Sequence, residues 1–276
     1  MEELRRVDPI DRAHLTGATR PSPPIYRYAP APELADLVER YWLPVWSLTE
    51  PSSQSTLQHP VCLIVVSNTY ARFYGVVRGL STVTLEGEGW AVGVMFRPAA
   101  GRLLLGRSVT VVADSYLDLT ELDSLDGAAL TAELRAAMTP DPHGEGGHRR
   151  AIAAYEARLR SLLPVDEQGQ LINEVIDWLH HHPAVTRVAD VAAAFGLSER
   201  ALQRLVESRV GLTPKWLIQR RRLHDAVEQL KKGGGPTLAD LAVELGYADQ
   251  AHFTHDFRAV TGITPGSYLA DQSSAE

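Results

Sequence analysis

The chain has one cysteine, three lysines and no apolar run approaching the roughly 20 residues that a membrane-spanning helix needs. Each shortage excludes something. A lone Cys62 forms no internal disulfide and supplies no multi-thiolate metal site. The opening residues, MEELRRVDPIDRAH, lack the apolar core of a secretory leader, so the expectation is a cytoplasmic chain without a membrane partner. No Gly-x-Ser-x-Gly, phosphate-binding loop or His-Glu-x-x-His is present, so no catalytic constellation, cofactor or metal set is read and the expectation is a protein other than an enzyme. An excess of basic residues is missing too: the formal net charge is -7, which argues against a chain-wide affinity for nucleic acid.

The shortage of basic charge is uneven. Residues 170–276 hold 11 Lys plus Arg against 13 Asp plus Glu, a balance of -2, and residues 1–169 hold 16 against 21, a balance of -5. All three lysines, Lys215, Lys231 and Lys232, lie in the second part. Any phosphate contact must therefore come from one basic face of the second part.

What is present sorts into regions. The first two dozen residues end in PSPPIYRYAPAP, which favours extended chain and suggests a loosely held arm. Leu34, Leu37, Val38 and Tyr41 have helical spacing and predict a short helix before Pro44. From 61 to 96, VCLIVVSN, RFYGVVRG, STVTLEG and WAVGVMF read as four successive strands separated by Asn, Gly and Glu-Gly breakers. Pro98 suits the first turn of a helix through Leu103, Leu104 and Leu105. TPDPHGEGGHR, at 139–149, is dense in Pro and Gly and reads as a linker. A helix from Arg149 to Leu163 follows, and from Leu171 onward the pattern is helical throughout.

The informative feature is a repeat. VADVAAAFGLSERALQRLVESRVGLTPKWL, from Val188, aligns with LADLAVELGYADQAHFTHDFRAVTGITPGSYL, from Leu238, at an offset of 50 residues through Gly196 and Gly246 and of 51 at Gly211 and Gly262. Each copy reads as a short helix, a glycine turn and a second helix, with Ser198 as an N-cap in the first and Phe253 and Phe257 as a buried i, i+4 pair in the second. Both end in Gly-x-Thr-Pro, where Thr213 and Thr264 cap helices that begin at Pro214 and Pro265. The helix from Pro214 can run to about Leu230, a rod of roughly 25 Å at 1.5 Å per residue. Such a rod can hold two recognition helices about one DNA turn apart, roughly 34 Å.

This arrangement, with GYADQAHFTHDFRAVTGITPGSYL in the second copy, resembles the DNA-binding domain of the AraC/XylS family of bacterial transcriptional regulators, over about residues 170–276. Phe96-Arg97-Pro98 and Gly106 resemble an N-terminal domain carried by some members. In the first unit, spacing sets Glu199, Arg200, Gln203 and Arg204 opposite Leu202, Leu205 and Val206, and Arg200, Gln203 and Arg204 match the positions that read bases in the family. The matching positions of the second unit are Asp249, Gln250, His252, Thr254 and His255, with Arg258 following. His255 departs from the pattern, because relatives commonly carry arginine there and an imidazole is a weaker phosphate or guanine partner at neutral pH. Arg220, Arg221 and Arg222 read as a solvated face, unless one of them pins its helix or touches phosphate.

By analogy with the family, the strand-rich half implies a sensor or dimerisation module for a small-molecule effector. Its candidate lining is Tyr41, Trp42, Trp46, Phe73, Tyr74, Trp90 and Arg97, residue types that more often serve simply as core. The whole is predicted as an α+β chain: an arm (1–24), a β-rich barrel or sandwich with flanking helices (25–138), a linker and connecting helix (139–169), and an all-α domain of two helix-turn-helix units joined by a long helix (170–276). The expected partners are double-stranded DNA with two boxes about one turn apart and a small-molecule effector, with RNA polymerase and a second copy of the chain as further candidates. Two other classes stay open: an alkyl-transfer DNA repair protein with Cys62 as acceptor, and a regulator whose N-terminal domain senses a protein partner.

Overall fold

A computed structural model describes residues 4–7, 23–232 and 236–273. Of the expected N-terminal arm, residues 8–22 lie outside the described residues, while Leu4–Val7 runs antiparallel to the first strand through Val7 N to Arg27 O (3.1 Å) and Ala29 N to Arg5 O (2.9 Å).

The strands are β1 (Ile25–Tyr28), β2 (Val38–Ser47), β3 (Ser52–Thr56), β4 (Leu63–Ser67), β5 (Ala71–Tyr74), β6 (Ser81–Leu85), β7 (Glu88–Phe96) and β8 (Tyr116–Asp118). Six form an antiparallel sheet in the order β1-β2-β7-β4-β5-β8, and β3 pairs with β6 in a separate ribbon. The four strands expected between 61 and 96 are β4 to β7. The helix expected over Pro32–Tyr41 is instead a single 3-10 turn, Pro32–Leu34, followed by β2. Its four apolar residues are nonetheless all buried, because a bulge between Val38 and Arg40 shifts the strand's parity and lets Val38 and Tyr41, an odd spacing apart, face the same way.

The helices are α1 (Ala100–Leu105), α2 (Gly127–Met138), α3 (Glu145–Leu159), α4 (Glu167–His181), α5 (Val188–Ala194), α6 (Glu199–Val210), α7 (Pro214–Lys231), α8 (Leu238–Glu244), α9 (Gln250–Thr261) and α10 (Pro265–Ser273). One sheet face, with Tyr41, Leu43, Ile64, Phe73, Trp90, Val92 and Val94, packs with Leu130 and Leu134 of α2 and Ile152 and Tyr155 of α3 into one core. The opposite face is half-buried. There Trp42 and Trp46 lie over Gly93 and Gly89, whose missing Cβ atoms would sit 2.2 and 2.3 Å from the indole rings.

The stretch expected to be a linker belongs to this core. His148 is fully buried, bonded to the Tyr28 hydroxyl and to the Pro142 carbonyl at 2.8 Å each, and α3 carries Ala151, Ile152, Tyr155 and Leu159 into the cluster. Pro140, Pro142 and Gly144 make the turn into α3, and Gly146 and Gly147 lie in its first turn. The core runs on to Val165, and α4 begins the next one.

Two further cores follow. The first joins α4, α5, α6 and the start of α7, and the second joins the rest of α7 with α8, α9 and α10. Each takes in a buried residue of the β-rich half: Val76 enters the first and Leu57 the second. Replacing Tyr155 with Ala, in chemical denaturation of the whole chain, is expected to cost about 3–5 kcal/mol. A cost near zero would place α3 outside the core.

Candidate nucleic-acid interface

The repeat folds as two helix-turn-helix units, and the local chemistry shows why. Gly196 and Gly246 take φ of 63° and 75°, a left-handed turn that ends α5 and α8 at little steric cost. Ser198 Oγ then accepts from Ala201 N at 3.2 Å to start α6, and Asp249 accepts from His252 N at 2.8 Å to start α9. Thr213 and Thr264 cap α7 and α10 in the same manner, at 3.2 and 3.1 Å. α7 has 18 residues, about 27 Å at 1.5 Å each.

On α6, Leu202, Leu205 and Val206 are buried, while Glu199, Arg200, Gln203 and Arg204 are exposed on the other side. Gln203 donates to Glu207 at 2.9 Å, and Arg200 and Arg204 point into solvent. On α9, Phe253 and Phe257 are buried and Gln250, His252, His255 and Arg258 are exposed, with Thr254 half-buried. Gln250, Thr254, His255 and Arg258 line one open groove with Ala251 and Thr264. Asp249 is occupied as the N-cap of α9. His252 packs edge-on against Tyr247, 3.9 Å from Asp256, which accepts from Gln219 of α7 at 3.0 Å.

Behind these helices the arginine run does not form a solvated face. Arg220 and Arg221 are 1% and 4% exposed. Arg220 donates to the carbonyls of Val77, Arg78 and Gly79 (3.0, 2.6 and 3.4 Å) in the β-rich half and lies 4.7 Å from the Trp216 ring. Burial pushes its guanidinium down to about 10, so it is charged at neutral pH. Arg221 donates to the Pro183 and Val185 carbonyls (2.7 and 2.9 Å) in the first unit, and pairs with Asp225 at 3.2 Å. Arg222 donates to the Leu245 carbonyl (2.7 Å) at the turn of the second unit and stacks on Tyr247 at 3.5 Å. One helix thus grips three bodies with three consecutive residues. The signal was in the sequence: neighbouring helical residues point about 100° apart, so three in a row cannot share one face.

Arg97, expected in an effector site, spans the two halves, pairing with Asp177 of α4 at 2.5 Å and with Glu39 at 3.3 Å. Asn173, unremarked in the sequence, joins the same seam by accepting from Ala99 N (3.0 Å) and donating to Asp36 O (2.9 Å). The buried Arg209 pairs with Asp166, and Arg102 donates to Ser208 at 3.0 Å. The other effector candidates divide between the sheet faces. Tyr41, Phe73 and Trp90 sit in the core. Trp42, Trp46 and Tyr74 lie on the half-buried face, where Tyr74 packs with Tyr116 and Arg72 lies 4.0 Å from the Tyr116 ring. Cys62 is buried, and burial pushes its thiol up to about 12, away from the range of a reactive thiolate. His59, three residues earlier, stacks on His224.

A family model described as a helix-turn-helix domain matches residues 191–271, and one described as a domain of unknown function matches residues 26–118. The HTH-type transcriptional activator RhaS of Escherichia fergusonii is 36% identical over 111 residues, 39% of each chain. A putative AraC-like transcription regulator of Streptomyces antibioticus is 30% identical over 99 residues, 36% of this chain and 32% of its own. Residues 191–271 form a helix-turn-helix domain. The chain spans about two fifths of the length of the curated RhaS proteins it matches. Among solved structures, the C-terminal domain of AraT from Geobacillus stearothermophilus aligns over 38% of this chain and 88% of its own, at 20% identity and a TM-score of 0.35. ToxT from Vibrio cholerae aligns over 84% of this chain and 98% of its own, at 13% identity and a TM-score of 0.42. No helix among the described residues is long and apolar enough to cross a membrane.

The arginines of the helix-turn-helix domain therefore separate into internal and external sets, and stability measurements distinguish them. Arg221→Ala, which strands two carbonyls and Asp225, is expected to lower unfolding free energy by about 3 kcal/mol. Arg200→Ala is expected to stay within about 0.5 kcal/mol of the parent. Equal effects would contradict this division.

Proposed function

We propose that the protein is a sequence-specific transcription regulator that lays α6 and α9 into successive major grooves of double-stranded DNA. The observation that carries this reading is the pair of exposed polar helix faces, Glu199, Arg200, Gln203 and Arg204 on α6 and Gln250, His252, His255 and Arg258 on α9, set on either side of one rigid helix. Arg200 and Arg204 are the guanine-reading candidates and Gln203 the adenine-reading one. Thr254 and Asp249 complete the second reading surface, Asp249 through the cap that orients α9.

In this reading the β-rich half takes a small-molecule effector on the half-buried sheet face at Trp42, Trp46 and Tyr74. Tyr74 ends β5, and the next residues, Gly75 to Gly79, carry the carbonyls that Arg220 holds. A ligand that reshapes that face therefore acts one short segment away from the linker helix. RNA polymerase and a second copy of the chain are the further partners of a regulator built this way.

Selection of random double-stranded DNA on the purified chain is expected to yield two boxes about one turn apart. Arg204→Ala, at fixed salt, is expected to relax the first box alone, losing about 1–3 kcal/mol of discrimination at one or two base pairs. Enrichment of no sequence, with or without candidate effectors, would overturn the reading. His255→Arg is expected to tighten binding at the second box by about 1 kcal/mol or more where a guanine lies opposite it, and unchanged binding to every selected sequence would remove His255 from the interface.

A further inference from the structure

The segment that follows β3 meets α7 through two imidazoles. His59 and His224 stack with ring centroids 4.5 Å apart and planes inclined by 23°. His224 is 6% exposed, and its neighbours Leu57 and Gln58 are buried with it. Beside the stack, Pro60, His180, Arg220, Arg221 and His224 help line a cavity of about 10 Å³, room for about one water.

The groups facing His224 are basic on every side: His59 from the β-rich half, Arg220 on α7 itself and His180 on α4. Asp225, the next residue along α7, is held by Arg221 at 3.2 Å. The Gln58 main chain lies close and favours the charged ring, but neither ring nitrogen makes a hydrogen bond of good geometry. Burial foremost, then His59 and Arg220, push the His224 imidazole well below its usual range, so the ring is neutral where it sits.

We propose that the His59–His224 stack is an acid-sensitive latch between the β-rich half and α7, closed while the His224 ring is neutral and released when it takes up a proton. The seam it fastens also contains the Arg220 bonds to residues 77–79 and the buried Leu57. A base that the closed seam holds in its neutral form leaves closure unopposed above its free value of about 6.5, and opposes closure progressively as pH falls below it. For one imidazole the ratio of closed to open falls tenfold per pH unit across that window. The latch does not depend on what the recognition helices bind.

Hydrogen exchange of the whole chain from pH 8 to pH 5.5, corrected for the intrinsic pH dependence of exchange, tests it. Segments 57–61 and 76–80 are expected to lose protection by up to tenfold per pH unit below about 6.5, while β7 in the sheet core keeps its own. His224→Phe, which preserves a stacked ring without a proton site, is expected to flatten that profile. A flat profile in the parent chain, loss from β7 in step with the two segments, or an unchanged profile in folded His224→Phe would each overturn the proposal. If His224→Phe does not fold, the comparison of the two segments with β7 in the parent chain decides alone.

Discussion

The structure depends on the angle between successive residues of one helix. At about 100° per residue, Arg220, Arg221 and Arg222 leave α7 in three directions, and each direction holds a different body. Taking a guanidinium out of water costs several kcal/mol, and that cost is offset here by carbonyl oxygens at the ends of chain segments, where helical and strand bonding leaves acceptors free. Arg220 uses three such carbonyls, Arg221 two, and Arg222 one together with an aromatic face. At Arg221 the planar fork reaches different carbonyls from its two terminal nitrogens, whereas at Arg220 a single nitrogen, Nη2, meets all three.

Two units on one rod would otherwise be independent small bundles, each with a thin core. The first is closed by Val76 and the second by Leu57, both from the β-rich half, and a fully buried aliphatic side chain of that size is worth about 1.5–3 kcal/mol. The β-rich half holds the units from behind, at α4, the C-terminal half of α6, and α7, so the N-terminal turns of α6 and α9 remain clear. The turn of the second unit also meets the loop that opens the first: a Cβ on Gly246 would lie 2.7 Å from Thr186. The relative placement of α6 and α9 is thus set by contacts on several sides of α7, including the Gln219–Asp256 bond.

What the sequence revealed was whatever rests on short-range chemistry. Both copies of the repeat, their glycine turns and their Ser or Thr caps are written within a few residues of where they act, and the structure contains them as read. The strand β2 was hidden because a bulge let a strand bury residues at helical spacing. The core position of residues 139–165 was hidden because it depends on His148 meeting Tyr28, 120 residues away, and on Tyr155 reaching the Val92 carbonyl at 3.3 Å. The effector candidates were chosen by residue type, and type alone cannot assign a sheet face. Register does: Trp42 opposes Gly93 on the half-buried side, while Tyr41 opposes Val94 on the core side.

The acidic balance of the chain also changes meaning once the cations are placed. Of the 11 Lys and Arg in residues 170–276, Arg209, Arg220, Arg221 and Arg222 are committed inside the fold. Arg187, Arg200, Arg204, Lys215 and Arg258 stay exposed, several of them on the faces of α6 and α9. Net charge counted along a sequence mixes these two sets, although only the second generates a field that a phosphate backbone could meet. A chain can therefore be acidic overall and still present exposed guanidiniums on the outer faces of α6 and α9.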